Sequence, residues 1–329
     1  MYLEDKSKKT VLVAGAAGYI GSTLCQQLVD AGYKVIAVDN FYYNQAAFVY
    51  DALKNTEFHR IDVTGPEVQV FNKCSLEDLV KRADSIIWLP ALVGAPLCDK
   101  HPVRAKAVNL TSVEWLLTIL RDDQHLIMPC TNSMYGTNKD VCTEESPINP
   151  LSLYAQLKCD AEAAILKREK STSLRLATVY GVSPRHRLDL LVNFFVYQCM
   201  FVTPVTGYDL ELNRNYCHIK DICSAMQFCL ENPDKTAGQI FNVGQDADNC
   251  TKRGLLEKIG GHLTFSLELT EGKDPDQRDY NVSSQKLYNL GWSPQYTLDE
   301  GITELIPFYR TLPTVKSERE NVLKYMKNV

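Results

Sequence analysis

The sequence predicts an α/β fold, in which a doubly wound parallel sheet is followed by a smaller mixed α/β domain. Short runs rich in Val, Ile and Leu, without polar alternation, recur along the first half, as expected for strands covered on both faces. Amphipathic segments of helical periodicity separate these runs, which is typical of βαβ units. The chain of 329 residues is long enough for such a sheet and a second domain.

The apolar runs and the amphipathic segments between them give the expected elements. Strands are expected at residues 10–15, 33–39, 85–90, 125–130 and 174–180. Helices are expected at residues 20–31, 103–121 and 154–170. After a polar loop at residues 181–187, helices are expected at residues 188–200 and 219–230, and a strand at residues 239–244.

Composition and charge argue against several classes of function. The chain carries 35 basic and 40 acidic residues, a net charge of −5, so no general attraction to nucleic acid is expected. No apolar run has the length of a membrane span, and the N-terminus lacks the apolar core of a signal peptide. The eleven cysteines are dispersed without CxxC pairs or zinc-like spacing, which predicts buried thiols, no metal site and a reducing cytoplasmic location.

A glycine-rich turn follows the first predicted strand and opens the first predicted helix. Gly15, Gly18 and Gly21, in GAAGYIG, have the spacing and the context of a dinucleotide-binding turn. The glycines permit a tight turn, close approach of a pyrophosphate and close packing of helix on strand. The helix N-terminus, where Tyr19 and Ile20 lie, supplies N–H donors and partial positive charge. This arrangement predicts a Rossmann-type domain that binds a dinucleotide.

An acidic residue ends the second predicted strand, 18 residues after Gly21. A carboxylate at Asp39 can accept hydrogen bonds from both adenosine ribose hydroxyls and would repel a 2′-phosphate, which favours NAD over NADP. Asn40 follows it directly and is expected beside the cofactor. Asp62, with Val63 next to it, is a candidate for contact with the adenine. An ordinary loop or capping aspartate is the equal alternative for Asp62.

Tyr154 and Lys158 lie four residues apart near the start of a predicted helix, which puts both side chains on one face. An ammonium beside a phenol lowers the cost of ionising it from its ordinary pKa of about 10. Such a phenolate can remove a proton from a sugar hydroxyl while hydride leaves the carbon. Lys158 can also hydrogen-bond the nicotinamide ribose.

The domain organisation follows from these features. Residues 1–180 are assigned to an NAD-binding Rossmann domain, because they contain the glycine turn and most predicted strands. The regular alternation of apolar runs and amphipathic segments gives way to a polar loop after residue 180. Residues 181–329 are therefore assigned to a substrate-binding domain. Residues 215–247 are predicted to return to the first domain, because their helix and strand continue the βα alternation.

Together these features resemble the extended short-chain dehydrogenase/reductases, and within them the nucleotide-sugar epimerases and dehydratases. The resemblance includes TNSMYG at residues 131–136 and extends from about residue 10 to about residue 310. It implies that Thr131 steadies the sugar oxygen beside Tyr154, and that Asn109 props the active-site region. Three residues at or near strand ends are expected to contact NAD: Leu89, Ala91 and Thr178.

A nucleotide sugar brings a second pyrophosphate, which requires cationic donors. The resemblance implies phosphate contacts for Arg214 and Arg278, and an approach to the phosphates for Asn193. Arg185 and Arg187 flank the loop that enters the second domain and are expected to join them. For each arginine taken alone, a surface ion pair is the alternative.

The sequence departs from the sugar 4,6-dehydratases where those enzymes carry an Asp-Glu pair. Asn132 and Ser133 stand there, and neither is an acid or base near neutral pH, which argues against dehydration. Both are expected to contact the substrate. Val93 and Gly94, in a segment at the carboxyl end of a strand, are expected near the sugar. His186, in the polar loop, is interpreted as solvated, with a role as a base as the alternative.

A narrower resemblance is to bacterial GDP-heptose 4-dehydrogenases of capsular polysaccharide synthesis. It rests on TNSMYG, CTEESP, RLATVYGVSPRHRLDLLVN and DPDQRDY. It implies oxidation of the C4 hydroxyl of GDP-D-glycero-α-D-manno-heptose to a ketone with NAD. A 4-epimerase, which returns the hydride to the other face, shares the first half-reaction and stays open. A non-catalytic NAD-sensing regulator is disfavoured, because Tyr154 and Lys158 are both present.

In the resembled family, the outer faces of the helices expected at residues 103–121 and 154–170 form a four-helix dimer interface. The resemblance therefore implies a homodimer or homotetramer. The apolar positions of these helices include Val108, Leu117, Leu157 and Ala164. The alternative is that all of these positions belong to the core of one subunit.

Overall fold

The computed structural model describes residues 9–43, 56–65, 74–271 and 278–313. Its central sheet has seven strands, all parallel, which confirms the predicted fold class. In chain order they are β1 (Thr10–Ala14), β2 (Lys34–Asp39), β3 (Thr56–Arg60), β4 (Ser85–Trp88), β5 (His125–Thr131), β7 (Ser171–Leu176) and β11 (Gln239–Val243). Across the sheet the order is β11-β7-β5-β4-β1-β2-β3. The chain therefore changes direction between β1 and β4, where open α/β sheets bind ligands.

The helices differ in length from one to more than three turns. They are α1 (Tyr19–Asp30), α2 (Leu76–Arg82), α3 (Ala95–Lys100), α4 (Pro102–Lys106), α5 (Ser112–Ile119), α6 (Leu153–Ile165), α7 (Leu191–Phe201), α8 (Ile219–Glu231), α9 (Pro233–Thr236), α10 (Lys252–Gly260), α11 (Gln285–Tyr288) and α12 (Leu298–Arg310). A π-helical turn at Ala107–Thr111 joins α4 to α5, and a 3-10 turn at Asn132–Tyr135 follows β5. The predicted helix at residues 103–121 is therefore interrupted.

Helices cover both faces of the central sheet. Side chains alternate along β1: Val11 and Val13 pack in a core with α1 and α8, whereas Leu12 and Ala14 pack in a core with α2, α5 and α6. The register places Leu12 opposite Ile36 of β2 and opposite Ile86 of β4. Because both faces of the sheet are buried, the sequences of the predicted strands are apolar throughout.

A third core, formed by α7, α10 and α12, lies in the C-terminal part of the chain. Three small sheets have the strand orders β12-β10-β8, β13-β9 and β14-β6. Their strands are β6 (Thr137–Cys142), β8 (Thr178–Tyr180), β9 (Val205–Gly207), β10 (Asn213–His218), β12 (Gln245–Thr251), β13 (Leu267–Leu269) and β14 (Asp279–Val282). The domain boundaries stay a prediction: α8 and β11 lie with the central sheet, but β10 does not, and residues 314–329 lie outside the described ranges.

The predicted strand at residues 174–180 is wrong as a single element. β7 ends at Leu176 and β8 begins at Thr178, because the chain leaves the central sheet at Ala177. The N–H of Ala177 donates to the carbonyl oxygen of Val243 at 2.9 Å, and the next residues pair with β10 instead. The other predicted strands and helices are present, with ends displaced by a few residues, except that the helix at residues 103–121 is divided by the π-helical turn.

All eleven cysteines are free thiols, and nine of them are buried, which confirms their interpretation as small apolar core residues. None of the helices in the described ranges is long and apolar enough to cross a membrane.

Most residues of the loop at residues 181–187 are buried, His186 among them, so the interpretation of His186 as solvated is wrong. His186 is 4% exposed, and its Nε2 lies 2.8 Å from the hydroxyl oxygen of Tyr309. Its ring packs against that of Phe308 with the centroids 4.6 Å apart. Most side chains of this loop are buried inside the molecule, so the polarity of its sequence does not indicate exposure.

We expect His186 to destabilise the fold as the pH falls. Burial lowers its pKa to about 4 from the ordinary value of 6.5, so the unfolded chain takes up the proton first. The contribution to stability is present above about pH 6.5 and is lost toward pH 4, by up to about 1.4 kcal/mol per pH unit. Urea unfolding of the wild type and of His186→Phe between about pH 7.5 and pH 5 measures this effect. The free energy of unfolding should fall less steeply in the variant, and equal slopes would contradict the prediction.

Candidate active site

Two adjoining cavities lie at the carboxyl ends of the central strands, beside the point where the sheet changes direction. The large cavity, of about 740 Å³, is lined by Thr131, Ser133, Tyr154 and Lys158 among others. The small cavity is lined by Asp39, Asn40, Asp62 and Val63 among others. Both cavities share six described lining residues: Gly15, Gly18, Tyr43, Leu89, Ala91 and Arg185.

The turn between β1 and α1 is possible only with glycine at two positions. Gly15 has φ +73°, and a Cβ there would lie 3.1 Å from the backbone carbon of Leu89. A Cβ on Gly21 would lie 2.2 Å from the carbonyl oxygen of Gly15, so α1 packs against the turn without any spare volume. Gly18 is the N-cap residue of α1 and has no side chain that could bind the free N–H groups of the helix. The N–H groups of the first helical turn are thus suited to bind a phosphate.

Asp39 is held against this turn by the backbone. Its Oδ2 accepts a hydrogen bond from the N–H of Ala17 at 2.9 Å, and its Oδ1 accepts one from the N–H of Phe41 at 2.7 Å. Burial raises the pKa of Asp39, while these N–H groups oppose that rise. The carboxyl group is thereby fixed at the wall of the small cavity, where it suits the ribose hydroxyls of an adenosine.

Asp62 forms a network at the wall of the small cavity. It accepts hydrogen bonds from Nδ2 of Asn40 at 2.9 Å and from Nη2 of Arg104 at 3.2 Å. The N–H and hydroxyl of Thr64 bind its other oxygen. Although burial opposes ionisation, these donors hold the pKa of Asp62 below its usual value. Because protein donors already engage both oxygens, a contact between Asp62 and adenine stays a prediction.

Tyr154 and Lys158 lie on α6, one turn apart, and both line the large cavity. Ser152 caps this helix: its hydroxyl oxygen accepts a hydrogen bond from the N–H of Ala155 at 3.2 Å. Lys158 is 4% exposed. Burial raises the pKa of Tyr154, and so do two neighbouring thiols, whereas two nearby guanidinium groups lower it. A phenol in this environment needs further positive charge to ionise.

Thr131 ends β5 and is oriented by Ser133. The hydroxyl of Thr131 donates to Oγ of Ser133 at 2.8 Å and accepts from the N–H of Ser133 at 3.1 Å. Both side chains line the large cavity with Tyr154. Asn132 lies between them in the 3-10 turn but is fully buried and is not among the described residues that line either cavity. The structure therefore does not bring this expected substrate contact into the site.

A buried ion pair ties α6 to the turn that follows Thr131. Nη2 of Arg175 donates to Oε1 of Glu162 at 2.6 Å, and its Nη1 donates to the hydroxyl oxygen of Tyr135 at 3.0 Å. Glu162 follows Lys158 by four residues, and therefore lies on the same face of α6. This network has no local pattern in the sequence, because its members are far apart along the chain.

The large cavity is strongly basic. Asp189 is the one acidic residue among the described residues that line it. Arg187 and Asp189 form a bidentate pair, with 2.6 Å between Nη2 and Oδ2 and 3.1 Å between Nε and Oδ1. The remaining charge predicts an anionic ligand besides the cofactor. The basic residues are Lys100, Lys158, Arg185, Arg187, Arg214, Lys252 and Arg278, of which Lys100 and Lys252 had no signal in the sequence.

Asn109 holds in place a segment that lines the large cavity, through hydrogen bonds to Leu92. It lies buried in the π-helical turn, where its Oδ1 accepts from the N–H of Leu92 at 2.8 Å and its Nδ2 donates to the carbonyl oxygen of Leu92 at 3.0 Å. The next two residues, Val93 and Gly94, line the large cavity. Asn109 thus fixes this segment, in keeping with the propping role that the resemblance implies. It is not among the described residues that line either cavity.

Asn193 likewise supports a loop. Its Oδ1 accepts from the N–H of Gly181 at 3.0 Å, and its Nδ2 donates to the carbonyl oxygen of Arg187 at 2.8 Å. Its side chain is fully buried and lies outside the described lining of both cavities. The other expected ligand contacts line the large cavity: Tyr19, Ile20, Gly21, Thr178, Arg214 and Arg278.

Comparison with known proteins agrees with this geometry. Residues 11–244 match the NAD dependent epimerase/dehydratase family. The uncharacterized UDP-glucose epimerase YtcB of Bacillus subtilis is 27% identical over 325 residues, covering 92% of this chain and 98% of that protein. UDP-glucuronic acid decarboxylase 1 of Xenopus tropicalis is 24% identical over 326 residues, covering 94% and 74%. A crystal structure of Thermus thermophilus UDP-glucose 4-epimerase with NAD has a TM-score of 0.76 at 25% identity, covering 92% and 99%.

The family match spans most of the chain and includes the glycine turn, Asp39, Thr131 and the Tyr154–Lys158 pair. The two curated relatives extend over nearly all of this chain. The chain therefore belongs to the NAD-dependent epimerase/dehydratase family of extended short-chain dehydrogenase/reductases, and it is an NAD-dependent enzyme.

Proposed function

We propose that this enzyme oxidises the C4 hydroxyl of a nucleotide-activated sugar to a ketone. One observation carries the proposal: a single cavity unites the glycine turn, the Tyr154–Lys158 pair with Thr131, and a group of arginines. The pair suits removal of a hydroxyl proton, and the arginines suit a diphosphate. The names of the two curated relatives specify UDP-sugars, which supports a nucleotide sugar as the substrate class.

The residues of the two cavities fit NAD. The glycine turn leaves room and N–H donors for a pyrophosphate, and the fixed carboxyl group of Asp39 suits the adenosine ribose without a 2′-phosphate. When bound, NAD supplies the acceptor for the hydride that leaves C4. The chain itself supplies the proton acceptor and the orientation of the sugar.

Tyr154 takes the proton of the C4 hydroxyl in this mechanism. Burial raises the pKa of its phenol, so nearby positive charge is needed for ionisation at neutral pH. We propose that the ammonium group of Lys158, buried one turn along the same face of α6 and in the same cavity, supplies that charge. Arg278 and Arg187 add to it. Thr131, positioned by Ser133, orients the sugar oxygen beside the phenol.

Arg214 and Arg278, with Arg187 near them in the large cavity, bind the nucleotide diphosphate in this proposal. Nη1 of Arg214 donates to the carbonyl oxygen of Arg278, which keeps these two residues together at the cavity wall. The long motif resemblance supports GDP-heptose as the substrate. UDP-hexoses are the competing substrates, since the two curated relatives are named for UDP-sugars. Val93 and Gly94 then lie near the sugar.

A 4-epimerase is the second candidate, and it is favoured by the T. thermophilus structure, a UDP-glucose 4-epimerase of the same fold. It needs the same proton acceptor and then returns the hydride to the other face of the ketone. The described residues of the large cavity serve either outcome, because the first half-reaction is shared.

Mass spectrometry of the products tests the proposal. The purified protein is incubated with NAD and a panel that includes GDP-heptose, GDP-mannose, UDP-glucose and UDP-glucuronic acid. A product lighter by two hydrogens, or its hydrate, is expected and identifies the sugar. An isomer of unchanged mass would identify a 4-epimerase instead. No product from any sugar, with NAD bound, would favour the non-catalytic regulator.

We also propose a homodimer or homotetramer in the cytoplasm. Val108, Leu116 and Leu157 are buried within the subunit, so they do not themselves form an interface. Val103, at 85% exposure in α4, and Leu151, at 50% exposure before α6, are apolar side chains available to a partner on this side of the molecule. The free thiols support a reducing compartment. Light scattering of the purified protein measures the number of subunits.

A further inference from the structure

The loop that follows β8 is fastened to the first turn of α1. Oγ of Ser183 donates to the carbonyl oxygen of Tyr19 at 2.7 Å and lies 3.1 Å from Oγ of Ser22. The N–H of Arg185 donates to Oγ of Ser22 at 3.4 Å. The phosphates of a dinucleotide bind at this turn of α1, so the loop is fixed against the cofactor site although it leads into the C-terminal part of the chain.

The side chain of Arg185 lies where the two cavities meet. Arg185 is 3% exposed, and its Cζ lies 4.7 Å from the centroid of the Tyr43 ring. Arg185 and Tyr43 both line both cavities, as do Gly15 and Gly18. Arg185 therefore lies beside the turn that carries Gly15 and Gly18, in both cavities where a pyrophosphate bound by that turn would extend.

The charges around Arg185 also suit an anion at this position. Burial lowers the pKa of its guanidinium and the neighbouring Arg187 lowers it further, whereas Tyr43, Asp189 and Asp39 oppose this fall. Asp189 forms its bidentate pair with Arg187. The carboxyl oxygens of Asp39 accept hydrogen bonds from the backbone. A diphosphate between the glycine turn and Arg185 would therefore meet a buried cation, with which it can form charge-assisted hydrogen bonds.

We propose that Arg185 binds the pyrophosphate of NAD opposite the glycine turn and retains the cofactor in its site. This role differs from the substrate contact that the position of Arg185 in the sequence predicts for it. It also goes beyond the proposed oxidation, because it concerns cofactor binding and does not depend on which sugar is bound. Release of the cofactor then requires Arg185 to move away from the first turn of α1.

Exchange of the bound cofactor tests this assignment without turnover. The protein is loaded with NADH, excess NAD is added, and the loss of NADH fluorescence gives the dissociation rate. Arg185→Met should raise that rate about tenfold or more, since it removes a charge-assisted hydrogen bond in a buried site. Arg185→Lys, which keeps the charge, should show a smaller rise. Arg253→Met is the control, because Arg253 forms an exposed ion pair with Glu211 outside the described lining of both cavities.

Titration of the NAD-loaded proteins with GDP and UDP separates the cofactor role from the substrate role. We expect Arg185→Met to bind these nucleotides with wild-type affinity. An unchanged NADH dissociation rate in Arg185→Met would overturn the proposal. Equal losses of cofactor and nucleotide affinity would overturn it too, because they indicate a disrupted loop. Neither measurement uses turnover, so this proposal and the proposed reaction fail independently.

Discussion

Tyr154→Phe should lower kcat by about a hundredfold to ten-thousandfold, the range typical of losing a positioned general base. The substitution removes one hydroxyl group from a ring that lines the large cavity and leaves the packing of α6 unchanged. The affinity for NAD should stay close to that of the wild type, since the glycine turn and Asp39 bind the other end of the cofactor. Single-turnover formation of NADH with the identified sugar measures the effect.

Tyr197→Phe is the matched control for this substitution. Tyr197 packs against Phe201 and Tyr309, with ring centroids 5.1 and 5.7 Å away, in the C-terminal core. The substitution Tyr197→Phe also removes one hydroxyl group, but from a residue outside the described lining of both cavities. Its kcat should equal that of the wild type. Wild-type turnover in Tyr154→Phe would exclude Tyr154 as the proton acceptor.

Gly21→Ala should abolish most NAD binding and also destabilise the fold. The added Cβ would lie 2.2 Å from the carbonyl oxygen of Gly15 and 2.7 Å from Cα of Ala16, which are backbone atoms that cannot turn aside. Either α1 or the turn must move, and the phosphate-binding geometry moves with it. We expect a loss of about 1–3 kcal/mol in the free energy of unfolding, as for other overpacked sites. Calorimetric titration with NAD and urea unfolding measure the two effects.

Gly260→Ala makes the same chemical change at the end of α10, where the nearest atom to the new Cβ is a ring carbon of Phe265 at 3.9 Å. This contact is ordinary, so stability should stay equal or rise by up to about 1 kcal/mol, because alanine restricts the unfolded chain. NAD binding should not change. If Gly21→Ala behaved like this control, the close packing of α1 on the turn would not be needed for cofactor binding.

The parts of the site that could be predicted depend on neighbours in the sequence. Gly15 and Gly21 are required by a turn that is complete within seven residues, and the spacing of Tyr154 and Lys158 places them on one helical face without reference to the rest of the fold. The seven-stranded parallel sheet also follows from local patterns, since strands buried on both faces are apolar throughout.

Contacts between distant segments were not predictable in this way. The polar sequence of residues 181–187 indicated exposure, but His186 is buried against α12 because Tyr309 offers a hydrogen-bond partner 123 residues later. Asn193 was expected at the phosphates, yet its amide is engaged by backbone groups near residue 181. The sequence does not indicate whether a polar side chain will form its hydrogen bonds with water, with a ligand or with other protein groups.

The sequence by itself thus determined the fold class, the cofactor and the placement of Tyr154 and Lys158 on one helical face, because glycine conformation, helical periodicity and strand burial act over a few residues. Only the tertiary structure decided which side chains share a cavity. It brought Lys252 and Arg278 to the same wall as Tyr154, placed Arg185 between the two cavities, and turned Asn132 away from them. Such neighbours are set by how the β8–α7 loop and the C-terminal elements pack on the central sheet, and that packing is a sum of many long-range contacts.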